Sequence, residues 1–290
     1  MKDISILIPT YNDDCSALVD SLHRQAASLD IAYEIIVADD GSTDAAVVAA
    51  NRKACQLSGC RLIMGGKNRG RAAIRNLLAS EARYPWLLFI DGDLSVCRDD
   101  FVFCYASTGD DCDVVDGGIV IGKSVAGNLR SIYEKAAEPQ HTVSKRQQQP
   151  YLDFHTANFL IRRQLMLSHP FDNRFLHYGY EDVIFGKQLQ QSGIPILHID
   201  NPILFNRFET NASFVGKTEE ALQTLYHFRS ELQGYSRMLS HVKRLSPVVP
   251  FIRLFHRCFG RWERSHLAGS HPTLFVFRLY RLGYYLSLNE

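Results

Sequence analysis

The 290-residue sequence lacks an excess of either charge: 32 lysines and arginines stand against 31 acids, a formal net charge of +1. A surface so balanced has no general attraction for nucleic acid, and no nucleic-acid partner is expected. Apolar runs of membrane-spanning length are missing as well, so no transmembrane helix is expected. The seven cysteines, Cys15, Cys55, Cys60, Cys97, Cys104, Cys112 and Cys258, are odd in number, and none stands in a Cys-x-x-Cys pair or a zinc pattern. Reduced thiols in a cytosolic protein are the expectation. Met1-Lys2-Asp3 runs almost directly into an apolar stretch, so no secretory leader is expected. The expected location is cytoplasmic, with the inner face of the membrane left open. The segment Gly65-Gly66-Lys67-Asn68-Arg69-Gly70 has neither the Gly-x-Gly-x-x-Gly of dinucleotide folds nor the spacing of a P-loop. A dehydrogenase or a phosphate-hydrolysing motor is disfavoured accordingly.

What is present centres on Trp86-Leu87-Leu88-Phe89-Ile90-Asp91-Gly92-Asp93. The five apolar residues do not alternate with polar ones, which marks a strand buried on both faces of a mostly parallel sheet. Such a strand delivers Asp91 and Asp93 to the carboxyl edge, where open α/β sheets bind ligands. Gly92 lets the backbone turn and approach a ligand closely. Two hard anions this near repel unless a cation sits between them, and a divalent ion with phosphate partners meets that need. Asp-Gly-Asp is also ordinary turn chemistry. A calcium loop of the EF-hand kind is excluded, because Val96 and Val102 stand where its glycine and bidentate acid belong.

Taken in order, Ile4 to Pro9 is a first strand, Cys15 to Ala27 a helix, Tyr33 to Ala38 a second strand and Ala45 to Leu57 a helix. Arg61 to Met64, a helix over Ala72 to Ala82 and the strand from Trp86 complete a β-α-β-α-β-α-β series. That order predicts a parallel sheet with right-handed crossovers, an α/β fold. Three strand ends then carry polar clusters that converge on one edge: Thr10 to Asn12, Asp39-Asp40 and Asp91-Gly92-Asp93. Arg71 and Arg75 share one face of the helix that opens beside them, a setting suited to phosphate. Val114 to Ile121 reads as a further strand, and Lys123 to Pro150 as a helix followed by a mobile polar loop. Glu181-Asp182 opens another helix, ended by Gly193. Acids there ordinarily serve the helix dipole; the functional alternative is a general base.

Six stretches in this order resemble the family 2 glycosyltransferases, inverting enzymes of GT-A fold. They are Ile8-Pro9-Thr10-Tyr11-Asn12, Val37 through Asp44, Asn68-Arg69-Gly70 through Asn76, Phe89 through Asp93, Asn158 through Arg163, and Gly179-Tyr180-Glu181-Asp182. The resemblance implies a GT-A-type, mostly parallel Rossmann-like sheet flanked by helices, with a helical carboxyl-terminal extension. It implies nucleotide contacts from Pro9, Thr10, Tyr11, Asn12, Asp39, Asp40, Asn68, Arg71, Asp91 and Gly92. It places Mn²⁺ or Mg²⁺ on Asp93 and Asp91, and the base at Asp182 beside Glu181. The implied reaction moves a sugar from a nucleotide-sugar, a UDP-sugar in this reading, to a hydroxyl of a glycan or lipid-linked acceptor in bacterial polysaccharide biosynthesis. One base and one metal suffice for a single inverting displacement, whereas glycoside hydrolases flank the bond with two carboxylates. His198 is expected to be a buried structural histidine, with a third metal ligand as its alternative.

The expected division is a catalytic domain over 1–215, its nucleotide-sugar half about 1–122 and its acceptor half about 123–215, then an extension over 216–290. Residues 216–242 read as a helix with Leu222, Leu225, Phe228 and Leu232 on one side. Val248 to Phe255 and Phe275 to Leu282 mix aromatic and aliphatic residues with arginine, the pattern of a helix in a membrane interface. A packed tail or a subunit contact are the alternatives. Two other functions compete: a sugar nucleotidyltransferase, disfavoured because no Gly-rich basic loop follows the first strand, and a nucleotide-binding or membrane-docking scaffold without transferase activity.

Overall fold

A computed structural model describes residues 1–109 and 111–288. The first half is the expected alternation: β1 (Ile4–Thr10), α1 (Ser16–Ala27), β2 (Tyr33–Asp39), α2 (Ala45–Ala54), β3 (Cys60–Met64), α3 (Arg71–Glu81) and β4 (Trp86–Ile90). Then follow α4 (Phe101–Ala106), β5 (Val114–Asp116), β6 (Ile119–Ile121), α5 (Leu129–Ala137), α6 (Val143–Gln148), β7 (Asn158–Arg162), α7 (Arg163–Ser168), α8 (Glu181–Gln191), β8 (Ile196–His198) and β9 (Ile203–Phe205). The last quarter is helical: α9 (Asn211–His227), α10 (Arg237–Arg244), α11 (Val249–Ala268) and α12 (Leu274–Ser287).

The main sheet has seven strands in the order β3-β2-β1-β4-β7-β5-β8. The β1–β2, β1–β4, β2–β3 and β5–β8 pairs are parallel, and β7 runs antiparallel to both of its neighbours. The α/β, mostly parallel architecture expected from the sequence is the one observed. Its unbroken apolar strands are buried on both faces: every residue of β4 is buried, as is most of β1. Phe89 stacks on Phe159 across β4 and β7 with ring centroids 4.9 Å apart, at the heart of the core.

The chain forms two compact units. One comprises Met1–Gly122, Gln140–Leu176 and Phe185–Arg207; the other comprises Lys123–Pro139, His177–Ile184 and Phe208–Glu290. The second has its own core of Leu129, Phe214, Val215, Leu267, Phe277 and Tyr280. No helix among the described residues is long and apolar enough to cross a membrane.

Several local expectations are corrected. The strand read over Val114 to Ile121 is two strands, because Gly118 takes φ +82° and turns β6 out of the main sheet to pair with β9. The polar segment before Pro150 is helical where a mobile loop was expected: α6 carries Arg146, which is 2% exposed. The helix read over 216–242 ends at His227, and α10 begins after Ser236, whose side chain caps it. Leu222, Leu225, Phe228 and Leu232 are buried as their spacing implies. Of the two stretches read as interfacial, the later one, Phe275 to Leu282, is mixed: Phe277 and Tyr280 are buried, whereas Phe275 is 77% exposed.

Candidate active site

Parallel pairing brings the polar ends of β1, β2 and β4 to one edge. Thr10 lies opposite Asp39 in register, and Leu7 opposite Phe89, so the residues after Ile90 emerge beside Pro9 and Thr10. Gly92 closes the approach: its N–H donates to the Pro9 carbonyl at 3.2 Å, and a Cβ there would lie 3.1 Å from both that oxygen and Thr10 Cβ.

The loops are tied to each other by the polar residues themselves. Asn12, at φ +56°, accepts with Oδ1 from the amides of Thr43 (2.8 Å) and Asp44 (3.1 Å), while its own N–H donates to Ser42 Oγ at 2.7 Å. Asp44 in turn caps α2. Thr10 Oγ1 donates to the Asp13 carbonyl at 2.9 Å. Tyr11 is exposed. Asp40 accepts from the amides of Arg69 (2.9 Å) and Gly70 (3.0 Å), and Asn68 Oδ1 also accepts from Gly70 at 2.9 Å. Burial is the strongest influence on the Asp40 carboxyl and pushes it up, opposed by those amides. Through these bonds the Asp40 carboxylate holds the 68–70 loop beside the strand ends.

Asp39 differs. Its Oδ1 accepts from the Ser42 amide at 2.6 Å, but its Oδ2 is buried with no hydrogen-bond partner among the described residues. A buried carboxylate oxygen left unmet is costly, and it fits a donor that a ligand would bring.

Asp91 is clamped. Arg75 Nη2 donates to Oδ1 and Arg71 Nη2 to Oδ2, each at 2.6 Å. Burial alone would raise the Asp91 carboxyl; the positive charges of Arg75 and then Arg71 outweigh it and hold the group below the usual carboxylate range. The expectation that Arg75 faces phosphate is therefore corrected: it is 1% exposed and its guanidinium lies 5.5 Å from the Phe171 ring. Arg71 keeps a partly exposed side chain. With each Asp91 oxygen held by a guanidinium, a shared metal role for Asp91 fits poorly, and Asp93, half-buried on the turn, is the carboxylate suited to an ion. Among the described residues no cluster of three or more His, Cys, Asp or Glu could cage a metal. The donor set fits a divalent ion that takes most of its ligands from a diphosphate and water.

His198 is buried in its own network. Nδ1 lies 3.1 Å from Asp116 Oδ2 and 3.0 Å from Arg146 Nη1, while Nε2 donates to the Pro150 carbonyl at 3.0 Å. Both ring nitrogens are used, the arrangement of a structural histidine.

Glu181 and Asp182 form the first turn of α8, which follows Gly179 (φ +97°) and Tyr180 (φ +69°). Glu181 is 4% exposed; Asp182 is half-buried, and its Oδ1 accepts from the Val183 amide at 2.7 Å. The sequence pattern alone did not disclose the double clamp on Asp91 or the unmet oxygen of Asp39. The four-residue spacing of Arg71 and Arg75 was the available signal for the first.

A parallel sheet that gathers carboxylates and a guanidinium pair at its carboxyl edge defines the class of the fold, and comparison with known proteins places it. Residues 5–168 match the model of glycosyl transferase family 2, and the chain belongs to that family. Two proteins of Haemophilus influenzae, each described as an uncharacterized glycosyltransferase, are similar to parts of it. One is 29% identical over 102 residues, 34% of this chain and 39% of that protein; the other is 34% identical over 92 residues, 31% and 29% respectively. The matches thus span well under half the length of these relatives. Among solved structures, a mannosyltransferase from Pyrobaculum calidifontis in complex with GDP-Man and Mn²⁺ aligns with 99% of this chain and 87% of its own, at TM-score 0.57 and 13% identity. Glucosyl-3-phosphoglycerate synthase from Mycobacterium tuberculosis, in complex with Mn²⁺, UDP and glucosyl-3-phosphoglycerate, aligns over 78% and 79% at TM-score 0.52 and 18% identity. The likeness to both is one of fold, the GT-A type.

Proposed function

We propose that the protein is a metal-dependent, inverting glycosyltransferase that moves a sugar from a UDP-sugar to an acceptor hydroxyl. The observation that carries this reading is the strand-end cluster, with an unmet buried oxygen on Asp39 beside a guanidinium-held Asp91 and a half-buried Asp93. A carboxylate oxygen only accepts hydrogen bonds. Uracil presents a ring N–H that would satisfy Asp39 Oδ2, which gives the nucleobase a reason to seat there. Pro9, Thr10, Tyr11 and Asn12 border the nucleoside, Asp40 and Asn68 hold the loop beneath it, and Asp91 with Gly92 meets the ribose. Arg71 serves the diphosphate.

Asp93 would hold Mn²⁺ or Mg²⁺. A bound ion of this kind neutralises the charge that develops on a departing diphosphate. Asp182 acts as general base, with Glu181 supporting the same helix start. As it takes the proton from the acceptor hydroxyl, that oxygen bonds to the anomeric carbon from the face opposite the diphosphate. The bond from carbon to phosphate oxygen breaks, UDP departs, and the anomeric configuration inverts. A glycan or lipid-linked hydroxyl is the acceptor class this chemistry serves.

The test is turnover of a panel of UDP-sugars with Mn²⁺ and simple saccharide acceptors, read as UDP release and by proton NMR of the new anomeric centre. The expected outcome is UDP release with the opposite anomeric configuration. Retention of configuration would contradict the single displacement, and pyrophosphate release from a nucleoside triphosphate would favour a nucleotidyltransferase.

A further inference from the structure

The carboxyl-terminal helices of the second unit carry a surface that sugar transfer does not use. Helix α11 has two opposite faces. One packs inward: Glu263 and Leu267 are fully buried, and His256 Nδ1 sits 2.8 Å from Glu263 Oε2. The His256 ring lies 5.4 Å from that of Tyr280 on α12, and a Cβ added to Gly283 would overlap the His256 side chain.

The other face is apolar and exposed. Phe251 is 73% exposed, Leu254 60%, Phe255 38%, Phe259 49% and Trp262 56%. These residues recur three and four positions apart, so helical periodicity sets them in one stripe, turned away from His256, Glu263 and Leu267. Leu245 and Val248, also exposed, lie just before the helix. Single exposed apolar residues are ordinary, whereas a continuous stripe of large aromatics marks a surface that meets a partner.

Charge identifies the partner. From Arg237 to Leu288 the only acid is Glu263, which is buried and held by His256. Arg237, Lys243, Arg244, Arg257 and Arg261 are exposed in the same span. Arg257 and Arg261 fall beside the apolar stripe, where long side chains can lay their stems along apolar matter and keep their charges in the polar layer. A second copy of this face would set like charges against each other. An apolar stripe bordered by cations and free of exposed acids matches an anionic lipid surface, with the rings at the acyl boundary and the guanidinium groups among phosphates.

We propose that α10 and α11 dock the protein on the surface of an anionic phospholipid bilayer, with Phe251, Phe255, Phe259 and Trp262 inserted and the flanking arginines on headgroups. The proposal is independent of the donor and of the strand-end site.

The structure supplies the probe. The chain has two tryptophans, of which Trp86 is 3% exposed and Trp262 is 56% exposed. The full chain is mixed with vesicles of phosphatidylcholine alone, or with about one third phosphatidylglycerol, and followed by tryptophan emission and co-sedimentation. The expected result is a blue shift and pelleting with the anionic vesicles only, both weakening as salt rises. Phe251→Ser with Phe255→Ser, and separately Arg257→Glu with Arg261→Glu, should each lower partitioning at least about tenfold while the thermal midpoint stays that of the parent. Unmoved emission with the protein left in the supernatant would overturn the proposal, and so would equal partitioning into neutral vesicles. A dimer that the phenylalanine variants dissolve, without vesicle binding, would assign the face to a second copy instead.

Discussion

Asp182→Asn is expected to lower sugar transfer by about 10² to 10⁴-fold, the range a positioned general base contributes, while UDP affinity stays near that of the parent. The substitution is chosen for its small structural cost. Asp182 Oδ1 accepts from the Val183 amide at the start of α8, and an asparagine carbonyl oxygen can accept the same bond. What asparagine cannot do is take a proton from the acceptor at neutral pH. Transfer rates with the donor found in the panel, set beside calorimetric UDP titration, separate the two roles. Full activity in the variant would move the base elsewhere, with Glu181, its neighbour in the same turn, next in line. Loss of UDP binding together with activity would instead make Asp182 part of the donor site.

Arg146→Met is expected to destabilise the protein by about 3–5 kcal/mol, the usual cost of removing one partner from a buried ion pair. Arg146 Nη1 lies 3.3 Å from Asp116 Oδ2 and donates to the Asp116 carbonyl at 3.0 Å, while Nη2 donates to the Ile199 carbonyl at 2.8 Å. Its removal leaves the buried Asp116 without its guanidinium, and the carbonyls of Asp116, Gly117, His141 and Ile199 without that donor. Asp116→Asn introduced with Arg146→Met should recover part of the loss, because the second change removes the uncompensated charge. Denaturant titration of the full chain measures both. A loss under about 1 kcal/mol in the single variant would mean that water replaces the guanidinium at little cost.

The contrast between these two residues shows what the sequence could disclose. The helix start at Glu181-Asp182 was legible because Gly179-Tyr180-Glu181-Asp182 form a local pattern, and local patterns survive in one dimension. The same holds for the sheet: continuous apolar runs such as Leu87 to Ile90 define buried parallel strands, and the polar residues that follow them must share an edge. Arg146 was not legible. It sits in Lys145-Arg146-Gln147-Gln148-Gln149, a run whose composition suggests a solvated loop, and its burial depends on Asp116, Ile199 and His198, which are distant in sequence. The same limit hid the Asp91 clamp, where spacing placed Arg71 and Arg75 on one helix face but could not place β4 beneath it. Helix α12 is a mixed case, with Phe277 and Tyr280 in the core and Phe275 exposed. An apolar and basic composition is common to interfacial helices and to core helices with a wet edge, and only packing against Leu129, Phe214 and Leu267 separates them.

The measurement that bears most directly on the strand-end site is calorimetric titration of UDP, with and without Mn²⁺, into the parent and Asp93→Ala proteins. UDP should bind in the presence of Mn²⁺, and affinity should fall at least about tenfold when the ion is removed or Asp93 is replaced. GDP and dTDP in the same experiment fix the nucleobase. Absence of nucleotide binding under every condition, or UDP binding indifferent to both Mn²⁺ and Asp93, would contradict a metal-assisted donor site at these strand ends.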